Sequence, residues 1–288
     1  MSFVLTLIGQ PGSVTPALLD RVAAATGAGP VDLLSPGEAA DLPCADPPDP
    51  CALRHALDAA PVDAVVTQAE NRRKRLLIAD MDSTIITSET LDELAIHAGV
   101  GEHVAAITRR AMAGEIDFPG ALRERVALLH GLGLEALEKT WGATRLMPGA
   151  RELVATMRGH GAVTALVSGG FTWFTSRVAA SLGFDVHRSN VLLDDGTVLL
   201  GRVQEPILGR DAKLATLREL ASERGLAMAD CLAVGDGAND LDMIRAAGLG
   251  VAFHAKPIVA EAAQARIDHC DLRALLFMQG YRAEDFCQ

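Results

Sequence analysis

Apolar positions recur along the chain in two rhythms. Short apolar runs predict strands: VLTLI (4–8), PVDLLS (30–35), a stretch near 62–67, LLIAD from Leu76, AVTALVS, CLAVGD and LGVAFH. Apolar residues three and four apart predict helices in TPALLDRVAAATG (15–27), near 51–60, and in GARELVATMRGHG, FTWFTSRVAASLG, DAKLATLRELASERG and NDLDMIRAAG. VLLDDGTVLLGRV predicts a hairpin turning at Asp195-Gly196. EAADLPCADPPDPCA (38–52), rich in Pro, Asp and Ala, predicts a loop, and Glu70-Asn71-Arg72-Arg73-Lys74-Arg75 a solvated connector.

The order of these elements divides the chain. Residues 1–72 form a small α/β unit. From 73 to 288, strands and helices alternate, which implies a mainly parallel sheet covered on both faces. One block breaks the alternation. Residues 89–147 (ETLDELAIHAG, EHVAAITRRAMAG, PGALRERVALLHG, LEALEKTWGAT) are helical throughout and too long for a simple crossover, so they predict a cap subdomain.

Composition narrows the function classes. Of 288 residues, 49% are hydrophobic, enough to fill a core, and none of the apolar runs approaches a membrane span. The amino terminus, MSFVLTLIGQPG, has no basic flank or cleavage site and reads as a first strand. The five cysteines form no CxxC pair, which fits a reducing cytoplasm, and the eight histidines have no metal-ligand spacing. A net charge of −11 argues against nucleic acid as a partner but leaves room for a small phosphorylated substrate met by local cations.

The candidate chemistry lies where the predicted parallel strands end, the place where such sheets bind ligands. LLIA runs into Asp80-Met81-Asp82-Ser83-Thr84; AVTALV into Ser168-Gly169-Gly170, opening a helix; Lys213 begins the helix after the hairpin; CLAV runs into Gly235-Asp236-Gly237-Ala238-Asn239-Asp240. Taken singly, Ser-Gly-Gly is a common turn, Lys213 a surface lysine and the last motif a helix cap. Their alignment on one sheet edge distinguishes them, as does the cost of placing two carboxylates close together. Asp80, Asp82 and Asp236 offer hard oxygen ligands to Mg²⁺. Ser168 and following N–H groups could hold phosphate oxygens, with Lys213 as a point charge. A carboxylate could then attack phosphorus while a second, protonated one assists the leaving alkoxide.

DMDST…VSGG…K…GDGAND resembles the motif set of the haloacid dehalogenase superfamily. The resemblance implies a Rossmann-like parallel sheet with an inserted helical cap. It implies Asp80 as nucleophile and Asp82 as acid/base. It also implies Mg²⁺ held by Asp80, Asp236 and the Asp82 carbonyl, with Asp240 in support, and a phosphoryl group held by Ser168 and Lys213. Over 75–275 the chain is similar to the phosphoserine phosphatase family. There Glu89 would meet the substrate ammonium and Arg125 its carboxylate, with Phe118, Gly169 and Asn239 completing the contacts. The implied reaction is hydrolysis of O-phospho-L-serine to L-serine and phosphate, the last step of serine biosynthesis, in the cytoplasm. A homodimer is left open. The first ~70 residues match least; an ACT-like domain is expected, although the Pro-rich loop at 43–50 departs from that pattern. The rival readings are a phosphatase or phosphotransferase acting on another small phosphomonoester, and an amino-acid sensor built on an inactive core.

Overall fold

The computed structural model describes residues 2–288. Its amino-terminal part runs β1 (Phe3–Gly9), α1 (Pro16–Thr26), β2 (Asp32–Ser35), β3 (Ala39–Cys44), α2 (Pro50–Leu57) and β4 (Val62–Gln68). These four strands pair antiparallel in the order β2-β3-β1-β4, the βαββαβ arrangement of ferredoxin-like folds and consistent with an ACT-like unit. Both helices start in the same way. The Thr15 hydroxyl accepts from Leu18 N, the Asp49 carboxylate accepts from Ala52 N, and a proline opens each first turn. Leu5, Leu7, Val22 and Leu42 fill the layer between helices and sheet.

The loop expected over 38–52 is in part a strand. Ala39, Ala40 and Leu42 are fully buried, and β3 is held from both sides by β1 and β2, which outweighs its weak intrinsic β preference. Pro43 lies past the last pairing with β2, Asp32 opposite Asp41, so its missing N–H costs nothing on that flank.

The remainder runs β5 (Leu76–Ala79), α3 (Thr90–His97), α4 (Gly101–Met112), α5 (Phe118–Ala127), α6 (Glu135–Ala143), α7 (Ala150–Gly159), β6 (Val163–Phe171), α8 (Thr172–Leu182) and β7 (Val186–Asn190). It continues through β8 (Leu192–Asp194), β9 (Leu199–Val203), α9 (Arg210–Glu223), β10 (Cys231–Gly235), α10 (Leu241–Ala246), β11 (Leu249–Phe253), α11 (Pro257–Ala262), β12 (Ala265–Ile267) and α12 (Ala274–Phe277). Six parallel strands form one sheet in the order β12-β11-β10-β5-β6-β7. The central strand β5 is Leu-Leu-Ile-Ala, buried on both faces, as a covered parallel sheet requires. The chain leaves β5 through the helices α3–α6, the expected cap, and returns as α7 and β6. β8 and β9 form the expected hairpin, which packs under α5.

The second face of the amino-terminal sheet packs on the carboxy-terminal segment, and buried polar groups mark the contact. The Asp63 carboxylate accepts from the backbone N–H groups of Asp268, His269 and Cys270 at 2.9–3.3 Å. Asp41 accepts from Thr6 Oγ1 (2.7 Å) and from both terminal nitrogens of Arg72 (2.6 and 3.0 Å). Arg72 therefore departs from the expected solvated connector: its side chain is 13% exposed. No helix among the described residues is long and apolar enough to cross a membrane.

Candidate active site

Beyond the carboxyl ends of β5, β6 and β10, and under the cap, lies a cavity of about 280 Å³. Nine of the eleven residues singled out from the sequence line it: Asp80, Asp82, Glu89, Phe118, Arg125, Ser168, Gly169, Asp236 and Asn239. The other two, Lys213 and Asp240, lie buried beneath them and join the same network.

The floor is made of groups that bind one another. β5 ends at Ala79, so Asp80 is the first residue past the strand, and its N–H still bonds to the Val234 carbonyl of β10 at 3.1 Å. Lys213, in the first turn of α9, is 1% exposed and places Nζ 2.6 Å from Asp80 Oδ1 and 2.6 Å from Asp240 Oδ1. Burial works against this ammonium, but Asp240 and Asp80 outweigh it and hold its proton above the ordinary lysine range. The second oxygen of Asp240 accepts from Gly237 N at 3.0 Å. Burial, then the nearby Asp80, pushes the Asp240 carboxyl upward, against the pull of Lys213. Asp236 accepts from the Thr84 hydroxyl at 3.2 Å and is likewise raised, chiefly by burial.

Asp82 connects floor and cap. One of its oxygens accepts from Thr90 N, the first residue of α3, at 2.8 Å; the other accepts from Ser168 Oγ at 3.2 Å. Burial, with Glu89 and Asp80 adding negative charge, pushes its carboxyl up to about 7 despite the Thr90 N–H. A carboxyl near that value can hold or release a proton at neutral pH.

Ser168 does not open a helix, as the sequence suggested. β6 runs on through Phe171, and α8 begins at Thr172. Ser168 therefore lies within β6, near its carboxyl end, where its hydroxyl accepts from Gly170 N at 2.8 Å. Phosphate oxygens placed here would meet strand-end groups instead of a helix terminus.

The cap supplies the wall. Ser83, at φ 55°, donates its hydroxyl to Glu89 Oε1 at 2.7 Å and so orients the carboxylate preceding α3. Phe118, the first residue of α5, presses on the Gly169 backbone. A Cβ at Gly169 would come within 3.0 Å of the ring, so only glycine fits there without displacement. Arg125 is half-buried; its Nε donates to the Ala121 carbonyl at 3.2 Å, and it forms no ion pair with a carboxylate among the described residues. Its terminal nitrogens are left for the cavity it lines.

The structure adds residues that sequence reasoning missed. Thr84 and Thr90 hold the two key carboxylates, Lys256 and Asp92 line the cavity, and Asn190 bridges Gly169 O and the Leu208 backbone. The hydroxyls of DMDST were a signal for Thr84. Thr90 and Asn190 act on or through backbone groups and carry no signal in residue type.

One carboxylate oxygen from each of Asp80, Asp236 and Asp240 lies within 4.8 Å of the others. This all-oxygen set suits a hard divalent cation. Both oxygens of Asp240 are already engaged, which leaves Asp80 and Asp236 as the freer ligands and Asp240 as their support.

Comparison with known proteins agrees with this geometry. The family model described as haloacid dehalogenase-like hydrolase matches residues 77–245. A phosphoserine phosphatase of Streptomyces coelicolor is 44% identical over 224 residues, 77% of this chain and 54% of its own length. The chain spans only 51–60% of the length of the first curated relatives it matches. A shorter phosphoserine phosphatase, from Streptococcus thermophilus, is 45% identical over 199 residues, 69% of this chain and 93% of its own. Among solved structures, a probable phosphoserine phosphatase from Vibrio cholerae superposes with a TM-score of 0.81 at 33% identity, covering 97% of this chain and 86% of that one. The family match spans more than half of the chain and takes in the strand-end carboxylates, the buried lysine and the inserted cap: the chain belongs to the haloacid dehalogenase-like hydrolases.

Proposed function

We propose that the protein is a phosphoserine phosphatase that hydrolyses O-phospho-L-serine to L-serine and phosphate with Mg²⁺. The observation that carries this reading is that Arg125, which lines the cavity and has no ion-pair partner among the described residues, shares the cap wall with the carboxylate of Glu89, opposite the floor of Asp80 and Lys213. Phosphoserine has three charged groups, and this cavity has a complement for each. Arg125 suits the carboxylate, Glu89 the ammonium, and Lys213 with Ser168 the phosphoryl group. The names of two similar relatives agree.

In this reading Mg²⁺ would be held by Asp80, Asp236 and the Asp82 carbonyl, with Asp240 in support, and when bound would offset the repulsion between carboxylate and phosphate dianion. Asp80 attacks phosphorus, and Lys213 keeps its carboxylate oriented while neutralising part of its charge. Asp82, protonated as its raised value allows, gives a proton to the departing serine oxygen. The resulting aspartyl-phosphate on Asp80 is cleaved by water that the same Asp82, now ionised, deprotonates. Phe118 closes over Gly169 and limits entry of other water, and Asn239, which lines the cavity, contacts the substrate. Residues 1–72 and 73–288 are then two domains joined through the stretch after β4.

A phosphate-release screen over small phosphomonoesters with Mg²⁺ tests this. O-phospho-L-serine should have the highest specificity constant. A better substrate lacking either the ammonium or the carboxylate would refute the assignment.

A further inference from the structure

The catalytic cavity is lined by five carboxyl groups and by two cations, Arg125 and Lys256. Lys213 is a third cation of the site, but it lies 1% exposed behind Asp80, with its ammonium bound to Asp80 and Asp240. Arg125 is half-buried on the cap wall. Lys256 is the exposed cation of the lining, and its ammonium makes no ion pair among the described residues. A phosphate dianion arriving from solvent therefore meets an acidic cavity with one free cation at its mouth.

The backbone fixes where this lysine stands. β11 ends at Phe253, His254 adopts φ 44°, and the chain turns into α11. His254 N donates to the Ile267 carbonyl at 2.8 Å, and Lys256 N donates to the Asp236 carbonyl at 3.2 Å. The Lys256 carbonyl in turn accepts from Val259 N and Ala260 N at 2.9 and 3.0 Å. Lys256 is thus tied to the backbone of a cavity carboxylate. The electrostatics agree with that placement. Burial and then Asp80 raise the Asp236 carboxyl, and Lys256 is the strongest influence pulling it down. Most lysines are solvated surface groups. One anchored beside Asp236 and lining the cavity is placed to act on what enters.

We propose that Lys256 is a phosphate-binding residue of the cavity mouth, which meets the phosphoryl oxygens of the incoming monoester and of the departing inorganic phosphate. This rests on reading the cavity as a phosphomonoester site, but not on the identity of the alcohol. Lys213 sits behind the nucleophile and is held by two carboxylates, so it serves the bound phosphoryl group and not its entry. Lys256 has the complementary properties: a flexible stem, a point charge and three donors free to follow an anion inward. A contact made equally before and during reaction lowers KM and leaves kcat nearly unchanged.

The test compares wild type with Lys256→Met and Lys256→Arg on O-phospho-L-serine and p-nitrophenyl phosphate, with inorganic phosphate as inhibitor, at low and near-physiological ionic strength. Lys256→Met should raise both KM values and the phosphate inhibition constant by a common factor of roughly five to ten, between an exposed ion pair and a buried charge-assisted bond. Its kcat should stay within about twofold, and its kcat/KM should fall less steeply with salt than that of wild type. Lys256→Arg should recover most of the loss. The proposal is overturned by unchanged KM and inhibition constants, by a loss confined to phosphoserine, or by an equal loss in Lys256→Arg. A shifted Mg²⁺ requirement with unchanged phosphate inhibition would also overturn it, because Lys256 would then act only through Asp236. Calorimetric titration with inorganic phosphate repeats the comparison without turnover. A wrong phosphoserine assignment would appear in the substrate screen and leave the phosphate readouts intact.

Discussion

The floor of the catalytic cavity and its cap wall are built on different principles. On the floor, Asp80, Lys213 and Asp240 are 6%, 1% and 0% exposed, and each is fixed by a charged neighbour at 2.6 Å. On the wall, Glu89 is exposed, Phe118 and Arg125 are half-buried, and among the described residues their side chains are bonded only by one hydroxyl to Glu89 and one backbone carbonyl to Arg125. Floor charges satisfy one another within the protein. Wall charges are left for a ligand to satisfy. The difference separates two tasks: reacting groups need fixed geometry, and recognition groups need to close on what enters.

Breaking the floor should have the largest effect. Asp80→Asn keeps the shape and removes the attacking charge, so phosphate release should fall on the order of a thousand-fold or more for every phosphomonoester. A folded variant, free of wild-type enzyme, that retains a substantial fraction of turnover would remove Asp80 from the nucleophile's role. Metal removal acts on the same region. Excess chelator should abolish activity, Mg²⁺ should restore it, and Ca²⁺ should restore it poorly because its looser shell would misplace the attacking carboxylate. Full activity in chelator would break the reading of Asp80, Asp236 and Asp240 as a metal set.

The floor was also the more legible region in the sequence. Its residues lie where apolar runs stop abruptly at Asp80, Ser168 and Asp236, and a parallel sheet brings such ends together whatever the details of the helices between them. Asp240 follows Asp236 in the same motif, whereas Lys213 was marked only by its place at the start of the helix after the hairpin. The wall was legible only through resemblance, since Glu89 just precedes one ordinary helix and Phe118 and Arg125 lie in another. What escaped was held by tertiary contact. β3 is a strand because β1 and β2 flank it, although Ala-Ala-Asp-Leu-Pro-Cys has little strand preference of its own. Arg72 looked solvated because its partner Asp41 is 31 residues away in sequence. β7, VHRSN, is a mostly polar edge strand and carries no alternating pattern. β12 and α12, three and four residues long, are too short to show a period.

Breaking the wall should cost less, and selectively. If Arg125 clamps the substrate carboxylate, Arg125→Ala removes a charge-assisted contact of about 1.5–3 kcal/mol, or roughly 10- to 150-fold in kcat/KM for phosphoserine. The loss should be much smaller for p-nitrophenyl phosphate, which has no carboxylate to clamp. Glu89→Gln should show the same selectivity through the ammonium. Equal losses on both substrates would mean that the wall supports the floor, and the two regions would no longer be separable.

Asp82 bonds to both regions and gives the smallest and most discriminating test. Burial, with Glu89 and Asp80 beside it, pushes its carboxyl up to about 7 from an ordinary value of 3.8. The folded state therefore holds the proton more tightly than the unfolded state. Ionising Asp82 costs stability as pH rises from about 4 to about 7, and the full penalty stands above that. Three pKa units set a ceiling of about 4 kcal/mol, and with relaxation of the half-buried loop we expect about 1–3 kcal/mol. Asp82→Asn keeps an acceptor for Thr90 N and a group beside Ser168 but cannot ionise. In chelator, its melting temperature should exceed wild type by about 3–8 °C at pH 8 and by almost nothing at pH 4. An equal gain at both pH values would assign the effect to packing. No gain at pH 8 would mean that water reaches the carboxylate once it ionises. The Thr90 contact would then have to loosen, and the cap would begin to open from the very residue that joins it to the floor.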